Sequence, residues 1–120
     1  MSTPKPWKRK LEILQGQTLD DLKTWKAGTT PTPVDLTGCT ARMHVRERVD
    51  SPATLLELTT ENGGIELGGT AGTIRTRMSA TATAALTWRT GTYDLEIEFP
   101  GGTVRRVLAG TVVVSPEVTR

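Results

Sequence analysis

The chain has 120 residues, with 15 Lys and Arg against 13 Asp and Glu, a formal charge of +2 at pH 7 and one cysteine. That length suits one domain, which buries roughly 65–70% of the surface its unfolded chain exposes. The near-balance of charge argues against a dedicated nucleic-acid binder, and a single cysteine excludes an internal disulfide. Cys39, between "DLTG" and a strand, is expected to be a buried thiol. No apolar run approaches the ~20 residues that cross a bilayer, so no membrane role is expected. No apolar core follows the first basic residues, which argues against a signal peptide and for a chain made and used in a cytoplasm.

In chain order, residues 1–10, "MSTPKPWKRK", read as an extended basic arm. Its prolines remove donors and favour extended backbone. Tryptophan is costly to leave in water, so Trp7, Lys8, Arg9 and Lys10 read as an anchor on a partner rather than a loose tail. Residues 11–120 read as a β-sandwich domain. A strand is expected near Leu11 to Leu14, a turn at Gly16, and a second strand from Thr18 to Trp25. "KAGTTPTPVDLTG" is too broken by Gly and Pro for a strand interior.

"ARMHVRER" alternates strictly. Ala41, Met43 and Val45 take the core side; Arg42, His44, Arg46 and Arg48 take the other. "ATLLELTT" is a further strand, and "ENGG" is a turn that tolerates positive φ. "IEL", "GGTAG" and "TIRTRM" form a hairpin, with Ile65, Leu67, Ile74 and Met78 inward and Glu66 beside Arg75 and Arg77. "SATATAALTW" is the one helical candidate, capped by Ser79 and crossing between sheets.

"YDLEIEF" points Tyr93, Leu95, Ile97 and Phe99 inward and Asp94, Glu96 and Glu98 outward. "PGG" turns the chain into "TVRRVLAGTVVV", whose broken parity is expected to be repaired by a bulge at Gly110. The fold class is therefore all-β: an immunoglobulin-like antiparallel β-sandwich with one short helix and an extended N-terminal arm.

The outward basic strand and the outward acidic strand match in sign. Opposed on one sheet, such residues lie about 4.5–5.5 Å apart at Cβ and contribute roughly 0.2–1 kcal/mol per pair. A charged ladder that fixes strand partners is favoured here over an anion site. Reactive chemistry is poorly supplied. One His and one Cys give no zinc spacing, so no metal and no cofactor are expected. "ENGGIELGG" lacks the strand–loop–helix setting of a phosphate loop. Asp94 and Glu96 share a face but no glycine-lined or aromatic cleft, so the chain reads as no enzyme. Only Trp7 interleaves with the arm's charges, so no stacking platform for single strands is present and nucleic acid is an improbable partner.

Laid end to end, "QGQTLDDLKTWK", "PVDLTGCTARMHVRER", "LLELTTENGGIEL", "GTIRTRMSATATAALTW" and "GTYDLEIEFPGGTVRRVLAGTVVVSPEVTR" resemble a family of small β-sandwich domains of tailed bacteriophages and prophages. The chain is similar to the N-terminal domain of phage baseplate upper proteins, over nearly its whole length after the arm. "DLTG", "SATATAAL" and "GTVVVSPE" carry the resemblance most specifically. It implies a non-enzymatic virion structural protein at the tail, baseplate or fibre attachment, assembled in the host cytoplasm in several copies. The implied partners are other virion proteins: tail, baseplate or fibre subunits. Alternatives are a capsid decoration or head-fibre base protein, or a DNA-contacting head or connector protein. Baseplate upper proteins continue beyond this domain; with the sequence ending at Arg120, fibre holding is expected to be non-covalent.

Overall fold

The computed structural model describes residues 6–119. Among these residues eleven strands and one α-helix follow in chain order: β1 Trp7–Lys8, β2 Leu11–Leu14, β3 Leu19–Thr24, β4 Lys26–Ala27, β5 Thr32–Pro33, β6 Thr40–Arg46, β7 Leu56–Thr59, β8 Ile65–Leu67, β9 Thr73–Met78, α1 Ala80–Ala84, β10 Thr90–Glu98 and β11 Val104–Ser115. A 3-10 turn, Gly69–Ala71, precedes β9.

Two sheets face each other. The larger has six strands in the order β1-β11-β10-β6-β7, with β2 also paired to β11; the smaller has the order β3-β9-β8. β4 and β5 form a separate ribbon within the stretch expected to be loop. Alternation explains the core. Ala41, Met43 and Val45 from β6 meet Leu95 and Ile97 from β10, Ile74 and Met78 from β9, and Val112 and Val114 from β11, all buried. At one end Trp25 and Phe99 pack at a ring-centroid distance of 6.0 Å.

The helix crosses from the smaller sheet to the larger, as its position between β9 and β10 requires. The Ser79 hydroxyl accepts the Ala82 amide at its start, at 3.1 Å. Thr83, fully buried, donates its hydroxyl to Gln17 O at 2.9 Å and accepts the Gly16 amide at 3.0 Å. The Gln15 amide meets the carbonyls of Ala84 and Leu86 beyond it. The helix end is thus fastened to the β2–β3 turn by side chains that supply its missing partners.

Several expectations are corrected. The arm boundary at residue 10 falls inside the fold. Trp7 and Lys8 run parallel to Leu108 and Ala109, and the Arg9 amide bonds Ala109 O at 2.9 Å. Gly110 allows this approach, because a Cβ there would overlap the Arg9 carbonyl. Residues 1–5 of the expected arm lie outside the described residues. The bulge in β11 is at Val107, not Gly110: Leu95 opposes Leu108 and Glu96 opposes Arg106, so Val107 has no opposite residue. The extra residue turns Arg105 and Arg106 to solvent while Val107, Leu108 and Ala109 are all buried. Cys39 is half-buried rather than buried. Burial, then the nearby Asp35 carboxylate, still pushes its thiol upward.

Candidate functional site: the charged face of the larger sheet

β6 and β10 are neighbours and antiparallel, with Asp94 opposite His44, Glu96 opposite Arg42, and Thr92 opposite Arg46. Every second residue of each strand must point away from the core, so the basic and acidic sets meet on one outer face. The Arg42 guanidinium lies 3.6 Å from Glu96 and 3.8 Å from Glu98. These separations exceed a direct hydrogen bond, and the side chains are between a third and a half exposed, so the pairs are solvent-screened and each contributes about 0–1 kcal/mol.

Other groups pair differently from a simple two-strand ladder. His44 Nε2 lies 2.8 Å from Glu57 on β7, and its Nδ1 lies 3.4 Å from the Arg46 guanidinium. A guanidinium only donates, so Nδ1 accepts and Nε2 carries the proton toward Glu57. Held between Glu57 and Arg46, the imidazole links β6 to β7. Arg46 also donates to the carbonyls of Ser51 at 3.2 Å and Pro52 at 2.9 Å, holding the β6–β7 loop. Asp94 is met from the other side by Arg106 at 3.4 Å.

Arg48 is not on this face. β6 ends at Arg46, and Arg48 sits in the following bend beside Asp50 at 3.5 Å. The Ser51 hydroxyl accepts the Arg48 amide and closes that bend. Glu57 and Arg106 complete the face and were not singled out from sequence. Their signal was present: Glu57 has the outward parity of "LLELTT", but only strand order shows which strand it borders.

The outer face is concave. Small residues, Thr92, Ala109, Gly110 and Thr111, form the floor of an open depression of about 520 Å³, rimmed by Lys8, Arg42, His44, Arg46 and Arg106. Among these rim cations, Arg42 and Arg106 are taken by carboxylates. An anion entering here would compete with Asp94 and Glu96. On the opposite, core-facing side of β10, the buried Tyr93 donates its hydroxyl to Arg9 O at 2.7 Å. Burial, more than the Asp21 charge, pushes this phenol upward, while Arg9 opposes both. The hydroxyl thereby ties the first strand to the sheet.

Of the expected anchor residues, Trp7 is 36% exposed, and Lys8, Arg9 and Lys10 are exposed along the sheet edge. Among the described residues, no group of three or more His, Cys, Asp and Glu is placed to hold a metal ion. No helix among them is long and apolar enough to cross a membrane.

The two packed sheets, their antiparallel pairing and the strand-crossing helix define an immunoglobulin-like β-sandwich. A chicken TCR structure shares this fold at a TM-score of 0.54 and 9% identity, over 93% of this chain and 55% of that one. The chain thus spans about half the length of that relative. Extracellular domains of Drosophila OTK match at a TM-score of 0.37 and 13% identity, over 91% of this chain and 33% of theirs. The first Ig-like domain of human CD48 antigen matches at 0.35 and 9% identity, over 100% of this chain and 94% of that one. No protein-family model and no curated protein matches the sequence.

Proposed function

We propose that the chain is a non-enzymatic virion structural component of a tailed bacteriophage, at the tail, baseplate or fibre attachment, acting through contacts with other virion subunits. The observation that carries this reading is the mutual commitment of the outer-face charges: Arg42 to Glu96 and Glu98, Arg106 to Asp94, and His44 to Glu57. Groups fixed on one another hold strands in register and suit a packing module better than turnover. The phage assignment rests on "DLTG", "SATATAAL" and "GTVVVSPE" and their order along the chain. The exposed Trp7 and the basic residues Lys8, Arg9 and Lys10 at the sheet edge supply the contact with a neighbouring subunit.

The test is to purify phage particles from a host that encodes this chain and to locate the chain by mass spectrometry and immunogold labelling. Label at the tail end in fixed stoichiometry is expected. Label on the head would favour the capsid-decoration or head-fibre reading, and absence from purified particles would overturn the proposal. Trp7→Ala combined with Lys8→Ser and Lys10→Ser should leave the domain folded and reduce incorporation.

A further inference from the structure

Edge strands expose unpaired N–H and C=O groups, and proteins normally blunt them. Most edges of this sandwich are blunted. β8 has three residues. β1 and β2 are short pieces of two and four residues. On β7 the Asn62 side chain acts as a substitute strand: its Nδ2 donates to Glu57 O at 3.0 Å, and its Oδ1 accepts the Thr59 amide at 2.9 Å.

β3 has no such cover among the described residues. It runs six residues and pairs with β9 on one side only. The Arg77 amide bonds Gly64 O, toward β8, and the Trp25 amide bonds Gly72 O, toward β9. Alternation along the ladder then fixes which groups point where. Leu19, Asp21 and Lys23 bond β9; Asp20, Leu22 and Thr24 turn their N–H and C=O groups outward. Beside this open edge Leu22 is 56% exposed, an apolar side chain where edge strands commonly carry charge.

From this edge we infer that β3 is a self-association strand: a second copy of this chain pairs with it, antiparallel, about a two-fold axis at Leu22. The sequence selects this register. Centred on Leu22, it sets Leu22 against its own copy, Asp20 against Thr24, and Asp21 against Lys23. Each outward N–H and C=O finds a partner, and the exposed leucine is covered by its equivalent. Asp21 and Lys23, already in contact within one strand, gain a second opposite charge across the axis. Shifting the axis by one residue would set Asp21 against Asp21, or Lys23 against Lys23, and like charges directly opposite are destabilising. The result joins two three-stranded sheets into one continuous sheet, an isologous contact closed by symmetry. Nothing in this contact requires a phage particle, so it stands or falls apart from the proposed function.

The test is sedimentation equilibrium of the full chain across micromolar to millimolar concentration, with amide exchange measured at both ends of the range. Expected is a species of twice 13.0 kDa, with the amides of Asp20, Leu22 and Thr24 protected only when dimeric. Asp21→Lys or Lys23→Asp alone should weaken dimerisation about tenfold or more. The double exchange, Asp21→Lys with Lys23→Asp, should restore it, since opposite charges again face each other. Circular dichroism of each variant checks that the fold is kept. A chain that stays monomeric throughout the range overturns the inference. So does a dimer indifferent to both single exchanges and to Leu22→Lys, because its contact would lie elsewhere.

Discussion

At the scale of single residues, the polar groups that matter here act on backbone. Asp35 is an example. Its carboxylate accepts the Thr37 amide at 3.0 Å and the Thr37 hydroxyl at 2.6 Å, closing the turn that leads into β6. The side-chain bond, then the backbone bond, hold the Asp35 carboxyl below the ordinary aspartate value of 3.8. A carboxyl whose folded pKa is depressed stabilises the fold above the unfolded value and loses that contribution as pH falls through the folded value. The stability difference between the native chain and Asp35→Ala should therefore be full above pH 3.8 and shrink as acid is added below it. Urea unfolding of both proteins at a series of pH values measures this. Gly72 is constrained twice over: its φ is 69°, and a Cβ would lie 2.9 Å from the backbone N and O of Val34.

At the scale of elements, the arginines of β6 and the bend after it are of three kinds. Arg42 makes screened pairs with Glu96 and Glu98, Arg46 bonds two loop carbonyls, and Arg48 lies beyond the strand. Substitution by serine should separate them. Arg42→Ser should cost about 0.2–1 kcal/mol, and Arg48→Ser close to nothing. Arg46→Ser should cost most, about 0.5–1.5 kcal/mol, because it removes two hydrogen bonds that hold the loop while its solvent-accessible carbonyls turn to water. Chemical denaturation of the three single variants gives the order directly. Equal effects at Arg42, Arg46 and Arg48 would mean that the face acts as one ladder. β11 shows the converse case, in which an element carries its own correction: the extra Val107 changes the parity within the strand, so arginines on one side of it and apolar residues on the other both reach suitable surroundings.

At the scale of the whole molecule, the two sheets are held together by their shared apolar core and by α1, which crosses between them. Thr83 is the polar pin of that crossing. It is fully buried and bonds Gln17 O, Gly16 N and, at 3.1 Å, Ala80 O. Thr83→Val keeps the volume and removes these partners. It should lower global stability by about 1–3 kcal/mol, seen as a lower urea midpoint with the slope unchanged. A loss far below that range would mean that water replaces the hydroxyl at Gln17 and Gly16.

Alternation alone placed Ala41, Met43, Val45, Tyr93, Leu95 and Ile97 in the core and Arg42, His44, Asp94, Glu96 and Glu98 outside it, because a pleat turns successive side chains to opposite faces. The cap at Ser79, the turn at Asn62–Gly63 and the sandwich class were equally legible, since each depends on neighbours within a few residues. Strand order was not. That Glu57 rather than an acid of β10 meets His44, that Arg106 meets Asp94, and that Trp7 and Lys8 run beside β11 all depend on which distant segments lie side by side. The tertiary structure likewise moved the bulge from Gly110 to Val107, because the register of β10 against β11, and not the glycine's freedom, decides where one residue is left over. Asn62 carries both lessons. Its place in a turn follows from its neighbours, whereas its work as a cover for the β7 edge exists only because that edge faces no other strand among the described residues.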